Sequence, residues 1–326
     1  MPASADRAGL PLTTRRSRRY DGDRVFRGFS RLAGVGVLGL LAAIAAFLVV
    51  QALPALQADR GSFWTTKVWD VESDRFGVAA LAVGTVESAV IALLIAWPVA
   101  VATALFVAEL APRRAARLFG YVLDMLAAVP SVVYGLWGIF WLVPHMAGPQ
   151  QWLDRYLGWI PLFSSRYATS SVPIPTKSMF VAGLVLAIMI LPIIAAVTRE
   201  VFLQADPAHK EAALALGATR WEMLRLAVLP PSRSGIVGAT ILALGRALGE
   251  TIAVALVLGT SYDFQLHILE PGGNTIAANI ANQYGEASAT GRSALVASGL
   301  VLFAITLVVN LAARAVVTRS DRKRAA

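Results

Sequence analysis

Arg246 and Glu250 stand four residues apart in a run, 234–262, that is otherwise free of Asp, Glu, Lys and Arg. On a helix, that spacing puts both on one face, one turn apart and able to pair. Placed inside a membrane, such an Arg costs about 2.5–3.5 kcal/mol on insertion scales, so it is expected to face a partner or a cavity. Its planar fork of donors suits an oxyanion, and a low dielectric strengthens each charge-assisted bond. Two roles are open: a residue on an anion path, or a structural ion pair joining helices or subunits.

Other chemistry has little material. The chain has no cysteine, which excludes thiolate metal sites, Cys nucleophiles and a disulfide framework. Its three histidines, His145, His209 and His267, have no metal-ligand spacing, and none is placed to complete a Ser-His-Asp triad. The dipeptide Gly-Lys does not occur, so there is no phosphate-binding loop. No catalytic residue, metal or cofactor is expected, and any ATP would be bound by another chain.

The surroundings of Arg246 explain that poverty. Of 326 residues, 57% are hydrophobic and 15% charged, with a mean hydropathy of +0.64. A soluble domain carries about 25% charged residues. The net charge of +9 lies between apolar runs, so it points to a membrane protein and not to nucleic acid. About 20 helical residues cross the hydrocarbon core. Runs at 32–50, 88–108 (extending back to 79 through Glu87), 125–144, 178–198, 234–262 and 293–313 predict six spans. Lys and Arg number eight in residues 1–31, three in 112–118, five in 199–233 and five from Arg314 onward. The opposite loops share seven: Arg60, Lys67, Arg75, Arg155, Arg166, Lys177 and Arg292. The excess places both termini in the cytoplasm. The expected organisation is a basic tail at 1–31, a retained first helix at 32–53, an external loop at 54–78, a five-helix core at 79–313 and a basic tail at 314–326.

The loop after the fourth span, residues 206–231, has its own pattern. Asp206 is suited to cap a helix that begins at Pro207 and continues through Glu211, Ala212, Ala213 and Leu214. Gly217 would supply a left-handed cap. A second short helix is expected from about Thr219 to Val228, ended by Pro230-Pro231.

Glu211-Ala212-Ala213, Gly217 four residues after Ala213, and Leu229-Pro230 twelve and thirteen residues after the glycine resemble the EAA loop of ABC-importer permeases. Ala227 departs from that pattern, which usually has a bulky aliphatic residue there. The segments Ala128-Val-Pro-Ser-Val-Val-Tyr-Gly-Leu-Trp-Gly138 and Leu244-Gly-Arg-Ala-Leu-Gly-Glu-Thr-Ile-Ala-Val254 resemble the phosphate-specific permeases of that class, in their C-type form. The resemblance covers residues 79–313. It implies an all-α integral membrane protein with six transmembrane helices and the type I ABC importer (MetI-like) permease fold. It implies ATPase coupling through Glu211, Ala212, Ala213, Gly217, Leu229 and Pro230, and a substrate path using Arg246, Glu250, Thr251, Ser131, Tyr134 and Arg199.

Pro130 frees backbone groups beside Ser131 and Tyr134, which suits a water-filled path or a packing kink. Arg199 with Glu200 could form an inner gate or a solvated helix end. The implied partners are an A-type permease, two ATPase subunits that hold ATP and Mg, an external phosphate-binding protein docking on loops such as 156–177, and lipid. Permeases for sulfate or molybdate share the loop, and a secondary phosphate transporter is the more distant alternative.

Overall fold

A computed structural model of the protein describes residues 19–58, 63–64, 69–70, 75–165, 176–259 and 266–325. Arg60, Lys67, Arg166, Tyr262 and the first 18 residues of the basic tail lie outside the described residues. The chain divides into two units, Met1–Phe47 and Leu48–Ala326. Helix α1 (Arg19–Ala58) begins in the first unit and ends in the second.

Among the described residues the remaining regular structure is helical, apart from an isolated antiparallel bridge between Ser178 and Pro271 and a two-residue antiparallel ladder, β1 (Trp69–Asp70) with β2 (Arg75–Phe76), in which Trp69 faces Phe76. Then come α2 (Ala79–Leu105), α3 (Arg113–Ala127), α4 (Ser131–Trp137), α5 (Val143–His145), α6 (Ala147–Leu157) and α7 (Met179–Leu203). They are followed by α8 (Pro207–Ala215), α9 (Arg220–Met223), α10 (Leu229–Leu248), α11 (Ile252–Val257), α12 (Ile276–Gln283) and α13 (Ala289–Ala325). Among the described residues, five helical stretches are long and apolar enough to cross a membrane, and a sixth is added if one bent pair counts as a single span.

The core forms where small residues let helices approach. In α2, Ala89, Ala92, Ala96 and Ala100 are buried against Val181, Val185 and Ile190 of α7. A Cβ on Gly183 would lie 2.5 Å from Ile91 Cγ2, so only hydrogen fits there. With no water to drive association between helices, such close packing does the work in lipid. A second cluster gathers Trp69, Phe76, Ile276 and Leu295, and Trp69 Nε1 donates to Gln283 Oε1 at 2.7 Å.

Three expected elements differ. The third span is two pieces: α3 and the stretch Ser131–His145 meet at 89°. Proline disfavours helix in the residue before it, here Val129, and has no N–H to continue the ladder. Met125, expected to open that span, therefore sits at the end of α3. The Leu126 carbonyl, which has no Pro130 N–H to accept from and takes the Val129 N–H at 3.2 Å instead, also accepts from Tyr134 Oη at 2.9 Å, which ties the two arms together. The fifth span is also interrupted: α10 stops at Leu248 and α11 starts at Ile252. Lastly, Pro230-Pro231 do not end a helix. A π turn over Leu224–Val228 leads directly into α10 with prolines in its first turn, and Arg220–Leu248 is one continuous helical stretch long and apolar enough to contain a span. Proline is tolerated in a first turn because its missing N–H has no intrahelical partner to lose there.

Candidate functional site

Arg246 lies in the last turn of α10, exposed, and lines a cavity of about 510 Å³ with Ile193, Ile241, Leu242, Gly245 and Asn310. Glu250 does not pair with it. Gly249 ends the helix, the four-residue geometry is lost, and among the described residues no ion pair joins the two. Glu250 instead turns inward, 8% exposed, and its Oε1 accepts from the Ala253 N–H at 3.2 Å, so it serves the first turn of α11. Thr251 Oγ1 donates to the Gly249 carbonyl at 3.1 Å, within the same break.

Broken helices expose backbone at membrane depth, which is tolerated where protein or water meets it. Here protein meets it from α4. A Cβ on Gly135 would lie 2.8 Å from Ala253 Cα, so α4 and α11 touch through their backbones. Tyr134 is buried beside that contact. Ser131 opens α4 on the same side of the bend. The structure thus gathers Arg246, Glu250, Thr251, Ser131 and Tyr134 around two adjacent helix breaks.

Arg199 is elsewhere. It leaves the far end of α7, with Nη2 2.6 Å from Glu200 Oε1 and 3.8 Å from Asp124 Oδ2. Its guanidinium lies directly over Gly120 of α3, where a Cβ would have to push it aside. A cavity of about 490 Å³ opens there, lined also by Arg113, Arg117 and Tyr121.

The loop between α7 and α10 forms a third locus. Asp206 caps α8 by accepting from the Ala208 N–H at 2.9 Å. Gly217 has φ +85°, a left-handed conformation that side chains resist, and Ala218 N–H returns to the Ala213 carbonyl at 3.1 Å. Thr219 and Glu222 complete a reciprocal capping box at α9. Backbone and hydroxyl donors of Thr219 hold the Glu222 carboxyl below its ordinary range. Glu211 and Ala212 are exposed, whereas Ala213 packs on the cluster of Phe202, Met223, Leu224 and Val228. Leu229 also packs on that cluster, and Pro230 stands beside it at the start of α10.

Two polar features were not singled out in the sequence. Asn310 of α13 shares the Arg246 cavity, and its buried Oδ1 has no hydrogen-bond partner among the described residues. A lone amide in the run 293–313 was the available signal. Glu109, directly after the apolar run 88–108, forms a 2.6 Å ion pair with Lys210.

Residues 100–325 match the family model described as "binding-protein-dependent transport system inner membrane component". The chain is 43% identical over 301 residues to the phosphate transport system permease protein PstC 2 of Mycobacterium tuberculosis, covering 90% of this chain and 91% of that one. It is 39% identical over 303 residues to the phosphate transport system permease protein PstC of Haemophilus influenzae, covering 93% and 95%. Among solved structures, a bacterial ABC transporter involved in the import of the acidic polysaccharide alginate aligns with a TM-score of 0.54 at 17% identity, covering 92% of this chain and 99% of that chain. That likeness concerns the fold alone.

Proposed function

The chain belongs to the family of binding-protein-dependent transport system inner membrane components, and from that membership we propose how its residues divide the work of moving phosphate. It is a multi-pass permease subunit of a phosphate ABC importer, and the observation that carries the substrate is its near-full-length likeness to phosphate permeases at about 40% identity. In our reading it stands beside an A-type permease, two ATPase subunits hydrolyse the ATP, and an external binding protein delivers phosphate. The termini are cytoplasmic, as the Lys and Arg distribution requires.

Arg246 is the anion-binding residue of the path. Its guanidinium is free of any carboxylate among the described residues and opens on a cavity, so its charge is available to an oxyanion. Glu250, Thr251 and Tyr134 hold the two helix breaks that shape the passage beside it, and Ser131 opens α4 at one of them. Arg199, gripped by Asp124 and Glu200, closes the cytoplasmic end. The segment from Glu211 to Gly217 docks on the ATPase, seated from behind by Ala213 and Leu229, with Pro230 opening the span that carries Arg246.

The test is oxyanion uptake by the whole assembly in proteoliposomes with ATP inside. Labelled phosphate should accumulate while sulfate and molybdate should not. Sulfate or molybdate uptake in place of phosphate would overturn the substrate, and phosphate uptake without ATP would overturn the drive.

A further inference from the structure

Helix α8 is a poor transmitter on its own. It has nine residues, none of them buried, and a helix that short is marginal without outside support. Short connections join it to α7 on one side and α9 on the other. Only Ala213 reaches the apolar seat behind it.

Its one strong attachment crosses to a different helix. Lys210 Nζ lies 2.6 Å from Glu109 Oε1, 101 residues away, with side chains only 19% and 8% exposed. Glu109 sits in a π turn, Phe106–Leu110, that continues α2 without a break. Such widened turns often mark functional positions because they re-aim a side chain. A pair this short and this dry is not screened as a surface pair is, and losing either member strands the other charge. The far side of the linkage is stiff too, because α2 lies along α7 through alanines and glycine.

We propose that Glu109 and Lys210 are the positioning residues that fasten α8 to the second span, so that ATPase-driven movement of α8 moves α2 with it. This rests on the coupling role given to α8 above. Glu109 is the receiving end, and the charges matter as a pair and not for their individual signs.

The experiment uses the complete assembly in proteoliposomes and reads labelled phosphate taken up per ATP hydrolysed. Glu109→Gln and Lys210→Met should each lower that ratio about ten-fold, within the range usual for coupling between sites. The exchange Glu109→Lys with Lys210→Glu should restore most of it. Where a single variant fails to assemble, the apolar double Glu109→Leu with Lys210→Met, which strands no charge, should assemble and show the same low ratio. Because the chain has no cysteine, spin labels on Ala102→Cys and His209→Cys add a readout of linkage. Their distance should stay single and narrow with and without ATP in the native pair, and broaden in Glu109→Gln. Native ratios in the apolar double, or an exchange variant no better than the singles, would overturn the proposal. So would a distance that stays narrow in Glu109→Gln. Glu211→Lys serves as the control: normal phosphate uptake in that variant would instead overturn the coupling role of α8 itself.

Discussion

At the scale of single residues, the decisive fact is that Arg246 and Glu250 part company. A pair would have made either substitution damaging to assembly, since the remaining charge would be stranded. The break at Gly249 gives Glu250 a backbone partner and leaves Arg246 to its cavity. Arg246→Gln should therefore assemble normally and lose phosphate uptake by about a hundred-fold, as expected where a forked anion contact is removed. Arg246→Lys should recover little, because a point charge on a flexible stem does not reproduce the fork. Adding Glu250→Gln to Arg246→Gln should restore nothing. Uptake regained in that double variant would remove Arg246 from the path. Tyr134→Phe tests the neighbouring break: losing the bond to the Leu126 carbonyl, which keeps the Val129 N–H, should lower the melting temperature of the complex in detergent, at a cost of about 0.5–1.5 kcal/mol for one hydrogen bond. An unchanged melting temperature would show that the bend does not depend on that bond.

At the scale of elements, the coupling loop is held by its three caps, at Asp206, Gly217 and Thr219. Gly217 at φ +85° is the joint, and its N–H donates to the Leu214 carbonyl. Gly217→Pro fixes φ near −65° and deletes that donor, so it should disconnect α8 from α9. Pull-down should show lost ATPase association while the protein stays in the membrane. Normal association and uptake would sink the coupling assignment. Glu222 adds a pH signature. Its folded pKa is depressed by Thr219, so its contribution is present above the ordinary carboxylate range and is lost as pH falls below it. Carbon-13 titration of Glu222 should show this low midpoint, and Thr219→Ala should return it to the ordinary range. Asp206 and Gly217 were legible as caps because each acts within a few residues of chain, whereas Thr219 was legible only as the start of a helix. Pro130 showed where the third span must break, but not that its arms would meet at 89°. That angle is set by packing of α4 on α11, more than a hundred residues away. Pro230-Pro231 misled for a related reason: proline ends a helix it follows and suits one it begins, and only the π turn before it decides which. Glu109 and Lys210 are separated by two spans, and no periodicity connects them.

At the scale of the whole molecule, much apolar surface faces outward. Phe140 is 77% exposed, Met125 73% and Leu94 71%, which suits lipid or a second permease and not water. The orientation we propose rests on charge, with 21 Lys and Arg assigned to one side against seven on the other, beyond Arg246 in the membrane. The absence of cysteine allows a clean test, since any thiol introduced is the only one in the chain. Arg114 and Trp159 are both exposed, and the proposed topology assigns them to opposite sides of the membrane. In intact spheroplasts, a maleimide that cannot cross the membrane should label Trp159→Cys and spare Arg114→Cys. In inverted vesicles the preference should reverse. Arg114→Cys removes one cation of the excess, far too few to flip the chain, so its labelling reports the native topology. The loop 199–233 is assigned to the same side as Arg114, as a cytoplasmic ATPase requires. If Arg114→Cys were labelled from outside, the coupling segment would face away from ATP, and the division of labour proposed for the protein would fail with it.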